Sequence, residues 1–112
     1  MDSKFDVIFL EPAREFLRSL DEKTRAKILY NIDKARVLND SKLFKKLEGE
    51  IWEFRTEYRG LQYRLLAFWD KSRKIETLVI STHGFIKKTD KVSANETKRA
   101  SQLLRLYFEL RK

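Results

Sequence analysis

Two hydrophobic periods alternate along the chain. Phe5-Asp6-Val7-Ile8-Phe9-Leu10 is a short apolar run of the strand type, ended by Glu11-Pro12. Pro12 suits the first turn of a helix, where its missing N–H costs nothing. Ala13, Phe16, Leu17 and Leu20 then recur at i, i+3, i+4 and i+7, the apolar face of one helix. Asp21 is placed to cap a second helix with the stripe Ile28, Leu29, Ile32, Ala35 and Leu38, ending around Asn39-Asp40-Ser41. The pair reads as an antiparallel helical hairpin that covers a sheet.

The period then changes to two. Ile51-Trp52-Glu53-Phe54-Arg55 precedes Leu61-Gln62-Tyr63-Arg64-Leu65-Leu66-Ala67-Phe68-Trp69, with Arg59-Gly60 at the turn. A second turn, Asp70-Lys71-Ser72-Arg73-Lys74, leads into Ile75-Glu76-Thr77-Leu78-Val79-Ile80-Ser81-Thr82. Three strands joined by short connections predict an antiparallel meander. Ser93-Ala94-Asn95-Glu96 has the form of a capping box, and the helix it opens carries Ala100, Leu103, Leu104, Tyr107 and Leu110 on one face. The predicted order is β-α-α-β-β-β-α. The fold class is α+β, one helical layer on a curved, mainly antiparallel sheet with the helical hairpin packed on one face.

Alternation also sorts side chains between the faces of that sheet. Trp52 and Phe54 point one way, Glu53 and Arg55 the other. Leu66 and Phe68, on the face opposite Tyr63, Leu65 and Ala67, predict that the middle strand is covered on both sides for part of its length. Arg64 shares the face of Leu66, and a charge in so apolar a run needs a partner or an open cleft.

Composition narrows the chemistry. A length of 112 residues predicts a single domain, 1–112, with an ordinary core. Cys is absent and His occurs once, which excludes a thiol nucleophile, Cys-ligated zinc and a multi-histidine metal centre. Neither paired carboxylates at two-metal spacing nor a phosphate loop occurs, so no metal or cofactor is expected. Met1-Asp2-Ser3-Lys4 does not open a signal peptide, and no apolar run approaches the ~18 residues of a membrane span. A cytoplasmic protein that does not engage a membrane is expected.

The net charge of +8 is unevenly placed. Residues 1–40 hold eight basic and eight acidic residues; residues 41–112 hold seventeen and nine, and therefore the whole surplus. Solubility alone accounts for a basic surplus, but one-sided placement with interleaved aromatics points to a phosphate-rich partner. A basic cleft without metal ligands can cleave RNA, because the 2′-hydroxyl supplies the nucleophile and guanidinium or ammonium groups neutralise charge at the phosphate. DNA, lacking that hydroxyl, is closed to this route.

Each candidate has a structural alternative. Glu53 and Arg55 also form an ordinary same-face ion pair, and Arg64 a structural arginine holding a carboxylate. Lys87-Lys88 reads equally as solvated charge, and Lys45-Lys46 as a rim. His83 has the side chain whose ordinary pKa best suits proton transfer, yet a lone histidine at a strand end is commonly structural. Trp52 and Trp69 read as packing residues before stacking platforms.

Three segments together carry a resemblance. Lys46-Leu47-Glu48-Gly49-Glu50-Ile51-Trp52-Glu53-Phe54-Arg55, then Tyr63-Arg64, then His83-Gly84-Phe85-Ile86-Lys87-Lys88-Thr89-Asp90-Lys91 resemble the RelE/ParE toxin superfamily, in its HigB-like branch of phage-derived type. The resemblance covers nearly the whole chain and implies the toxin of a type II toxin–antitoxin pair, a metal-independent endoribonuclease that cuts mRNA on the ribosome. It implies a HigA-like helix-turn-helix antitoxin as partner, with operator DNA reached only through their complex. Residue by residue, it implies that Arg64 and Arg55 contact the scissile phosphate and that Lys87 and Lys88 stabilise the transition state or leaving group. Glu53 would act as base or orient an arginine, with His83 or a lysine as proton donor, since relatives' C-terminal His or Tyr is replaced here by Leu110-Arg111-Lys112. Lys45, Lys46, Arg59 and Lys91 would contact ribosomal RNA. Two other readings stand beside it: a non-catalytic ParE-like gyrase inhibitor, and a basic RNA-binding regulatory module.

Overall fold

The computed structural model describes residues 3–72 and 78–111. Of the expected turn and strand, Arg73, Lys74, Ile75, Glu76 and Thr77 lie outside the described residues, as do Met1, Asp2 and Lys112. The elements run β1 (Asp6–Phe9), α1 (Glu11–Arg18), α2 (Glu22–Val37), β2 (Phe44–Glu48), β3 (Ile51–Tyr58), β4 (Leu61–Asp70), β5 (Leu78–Lys87) and α3 (Ala94–Leu110). The sheet order is β1-β5-β4-β3-β2; β1 runs parallel to β5 and every other pair is antiparallel. Three helices on a mainly antiparallel open sheet make an α+β fold, compatible with the RelE-like toxin fold. No helix among the described residues is long and apolar enough to cross a membrane.

The order differs from the predicted one by a strand. Phe44–Glu48, not among the strands expected from the sequence, is the edge strand β2, paired to β3 with a bulge between Lys46 and Glu48. Lys45 and Lys46 are both exposed, so its apolar alternation is too weak to register. The β3–β4 turn follows expectation: Arg59 (φ 52°) and Gly60 (φ 80°) form the left-handed two-residue turn that suits strand twist. At the other end, β5 continues five residues past Thr82. The residues from His83 to Lys87 are strand, and not the connection expected there.

Both faces are covered. On one, Ala13 and Leu17 of α1 and Ile28, Ile32 and Ala35 of α2 pack on Phe54, Tyr63, Leu65, Ala67 and Val79. On the other, Ala100 and Leu104 of α3 meet Ile51 and Leu66, while Tyr107 and Phe108 meet Phe68, Leu78 and Ile80. A single helical layer is therefore corrected to two, one on each side of β4, as Leu66 and Phe68 require. Some predicted stripe positions turn outward: Leu29, Leu38 and Leu110 are exposed. Thr24 and Asn31 take inward places on α2, Asn31 donating from Nδ2 to Thr56 Oγ1 at 3.0 Å.

Candidate functional site

Strand register assembles the site. Arg55 of β3 lies directly opposite Arg64 of β4, Lys45 of β2 opposite Glu53, and Gln62 opposite Lys87 of β5. Since side chains two apart share a face, Lys45, Glu53, Arg55, Arg64 and Lys87 all project from the α3 side of the sheet. A cleft of about 370 Å³ opens there. Its lining includes Lys45, Lys46, Glu53, Arg55, Lys87 and Lys91, with Glu48, Asp90 and Thr97 at its margins.

The floor is a charge cluster. Glu53 is buried, its side chain 5% exposed, and lies between two guanidinium groups: Arg64 Nε stands 3.3 Å from Oε1 and Arg55 Nε 3.9 Å from Oε2. Arg64 is 2% exposed and donates from Nη1 to the Tyr63 carbonyl at 3.0 Å. Burial pushes its pKa down and Glu53 pulls it back up, with Arg55 opposing; a guanidinium stays charged throughout. Arg55, 30% exposed, is the most exposed of the three and lines the cleft together with Glu53. Glu53 Oε1, Arg55 Nε and Arg64 Nε are buried yet make no hydrogen bond, because the ion pairs are close but poorly aligned. Unsatisfied buried polar atoms are costly, and a bound anion drawing Arg55 forward would repair part of that cost.

The remaining candidates separate from this cluster. Lys88 is exposed just beyond β5 and does not line the cleft. Arg59 sits at the tip of the β3–β4 turn, its guanidinium 5.0 Å from the Tyr58 ring centroid, close enough to Asp21 to help lower that carboxyl's pKa after the Thr24 hydrogen bond. His83 lies inside β5 and is 1% exposed. Its Nε2 lies 3.0 Å from Glu96 Oε1 and its Nδ1 3.1 Å from Thr82 Oγ1, whose hydroxyl also reaches the Leu66 carbonyl. Burial lowers its pKa, more than Glu96 raises it. Glu96 is thereby drawn away from the capping box expected of Ser93, and α3 starts with no side-chain cap.

Some contributors escaped the sequence. Thr97 reaches the cleft only because α3 crosses this face, which no periodicity in β3–β5 announces. Asp90 stood within the His83–Lys91 segment, but its carboxylate was masked among lysines. Gly84 has a packing reason: a Cβ there would stand 2.3 Å from Phe16 Cδ2, so α1 seats directly on the β5 backbone.

A comparison with curated proteins found no match. The family model described as Phage derived protein Gp49-like (DUF891) matches residues 15–105, a span that holds every residue of the cleft. The chain belongs to the phage-derived Gp49-like family, a family of RelE-like toxin type.

Proposed function

We propose that the protein is the HigB-like toxin of a bacterial type II toxin–antitoxin pair, an endoribonuclease that cuts mRNA on the ribosome. The observation that carries this reading is the anion-seeking floor of the cleft. Arg55 is held at the cleft surface by a buried carboxylate, backed by buried Arg64 and ringed by Lys45, Lys46, Lys87 and Lys91.

In this mechanism Arg55 grips the scissile phosphate, a bidentate task suited to a guanidinium. The 2′-hydroxyl loses its proton and its oxygen attacks phosphorus. The bond to the 5′ oxygen breaks and that oxygen takes up a proton, leaving a 2′,3′-cyclic phosphate and a free 5′-hydroxyl. Lys87 and Lys91 offset the charge that develops on the phosphoryl and leaving oxygens. Glu53 and Arg64 act as positioning residues that fix Arg55. His83, enclosed by Thr82 and Glu96, has no path to the substrate in this arrangement and holds α3 instead. A cleft so poor in free acids and bases gains from a substrate already held in attack geometry, the part the ribosome plays. A HigA-like helix-turn-helix antitoxin is the expected partner, the two together contacting operator DNA in the cytoplasm.

Primer extension on translated mRNA tests the proposal. Wild-type protein should give ribosome-dependent stops that Arg55→Ala abolishes. Toxicity with gyrase inhibition and no mRNA cleavage would favour a ParE-like inhibitor, and RNA binding without either effect a regulatory module.

A further inference from the structure

A second cavity, of about 590 Å³, adjoins the Arg55 cleft. Lys46, paired with Trp52 in the β2–β3 register, lines both. The second is lined by Trp52, Trp69 and Phe108, with Lys71 and the one carboxylate of Glu50 among its polar groups. Its size falls within the roughly 300–1,000 Å³ of small-molecule pockets.

Trp52 and Trp69 are the chain's two tryptophans, and each is only partly buried. Their rings meet edge to face, centroids 5.8 Å apart at 84°, and Phe44 stacks on Trp52 at 5.0 Å, fixing both indoles before any ligand arrives. Neither indole N–H has a hydrogen-bond partner among the described residues. Flat aromatic walls, two free N–H donors and two ammonium groups match the chemistry of a nucleobase and its flanking phosphates.

We propose that Trp52, Trp69, Lys46 and Lys71 form a base-binding subsite for single-stranded RNA, seating a nucleotide of the strand whose phosphate lies at Arg55. The subsite rests on the RNA-cleavage reading for the reason that RNA arrives there, and its test does not depend on cleavage.

A short 2′-O-methylated oligoribonucleotide, which cannot be cut, is titrated into the full chain while tryptophan emission is followed. With both indoles in the pocket, binding should produce a saturable loss of emission. Lys71→Glu, an exposed change that leaves the core alone, should weaken that binding about tenfold, and Trp69→Leu by a similar factor, read from Trp52, with folding checked by circular dichroism. Unchanged emission while a labelled oligonucleotide binds by anisotropy would overturn the subsite, as would a Lys71→Glu affinity equal to wild type. Quenching without mRNA cleavage would contradict the nuclease reading and leave the subsite standing. Cleavage without quenching would do the reverse.

Discussion

Glu53 is the residue on which the site's geometry turns. Among the described residues its carboxylate is the one paired with Arg64, a guanidinium almost wholly removed from water, and Glu57 acts on it only from farther away. Taking one partner from a buried pair leaves the other charge uncompensated, which costs more than the pair itself contributes. Glu53→Gln keeps the shape and removes the charge, and should lower unfolding free energy by about 3–5 kcal/mol in urea titration. A loss under about 1 kcal/mol would mean that Arg64 does not depend on this carboxylate. Alternation paired Glu53 with Arg55 on one strand and Arg64 with Leu66 on the next, and the β3–β4 register, which alternation does not carry, puts the three on one face. Sequence reading assigned Arg64 to the phosphate and left depth unread. Depth comes from α3 and the neighbouring strands, and the 2% exposure puts Arg64 behind Arg55.

His83 makes a second residue-scale prediction. Burial lowers its pKa below the ordinary value of 6.5, against the pull of Glu96 and with Arg99 adding to the lowering; Thr82 holds the other ring nitrogen. The unfolded chain therefore binds a proton at a pH where the folded chain does not. Stability should be full above about pH 6.5 and fall as pH drops below it, by up to about 1.4 kcal/mol per pH unit. Unfolding titrations at pH 7.5 and 5.5 should show this slope, and His83→Gln should flatten it. An unchanged slope in the variant would assign it to other groups.

At the scale of elements, α3 and α1 set the site from opposite sides. The His83–Glu96 bond ties the first turn of α3 to β5, and Tyr107 Oη donates to Asp70 Oδ2 at 2.7 Å near the other end. Burial works against the charge of Asp70, but hydrogen bonds from Ser72 and Tyr107 outweigh it and hold the carboxyl below its usual range. On the opposite face, Phe16 sits on Gly84 so closely that Gly84→Ala should cost about 1–3 kcal/mol through overpacking, visible as a lowered melting temperature. A neutral substitution would show that α1 shifts freely. Helix existence was legible from 3.6-residue periodicity, and β3 and β4 from alternation and the Arg59-Gly60 turn. Two things were not. The bulge between Leu66 and Ala67, which adds a residue to β5, and the two exposed lysines of β2 both break the period that sequence reading relies on. Nor does amphipathicity say which sheet face a helix covers, so the second layer became visible only in three dimensions.

For the whole molecule, the uneven charge becomes a matter of place. Among the described residues, the five cations lining the cleft all come from the basic stretch 41–112, while the first 40 residues supply the neutral α1–α2 layer behind the sheet. The account's central claim is that Arg55, presented by Glu53 and Arg64, neutralises the phosphate at which RNA is cut. Its most direct test is the cleavage rate of ribosome-bound mRNA by wild type and Arg55→Ala, followed by primer extension with the product ends analysed. The account predicts cuts bearing 2′,3′-cyclic phosphate and a loss of about 100-fold or more in the variant, the scale of removing one transition-state donor. An Arg55→Ala protein that cuts at the wild-type rate would contradict it.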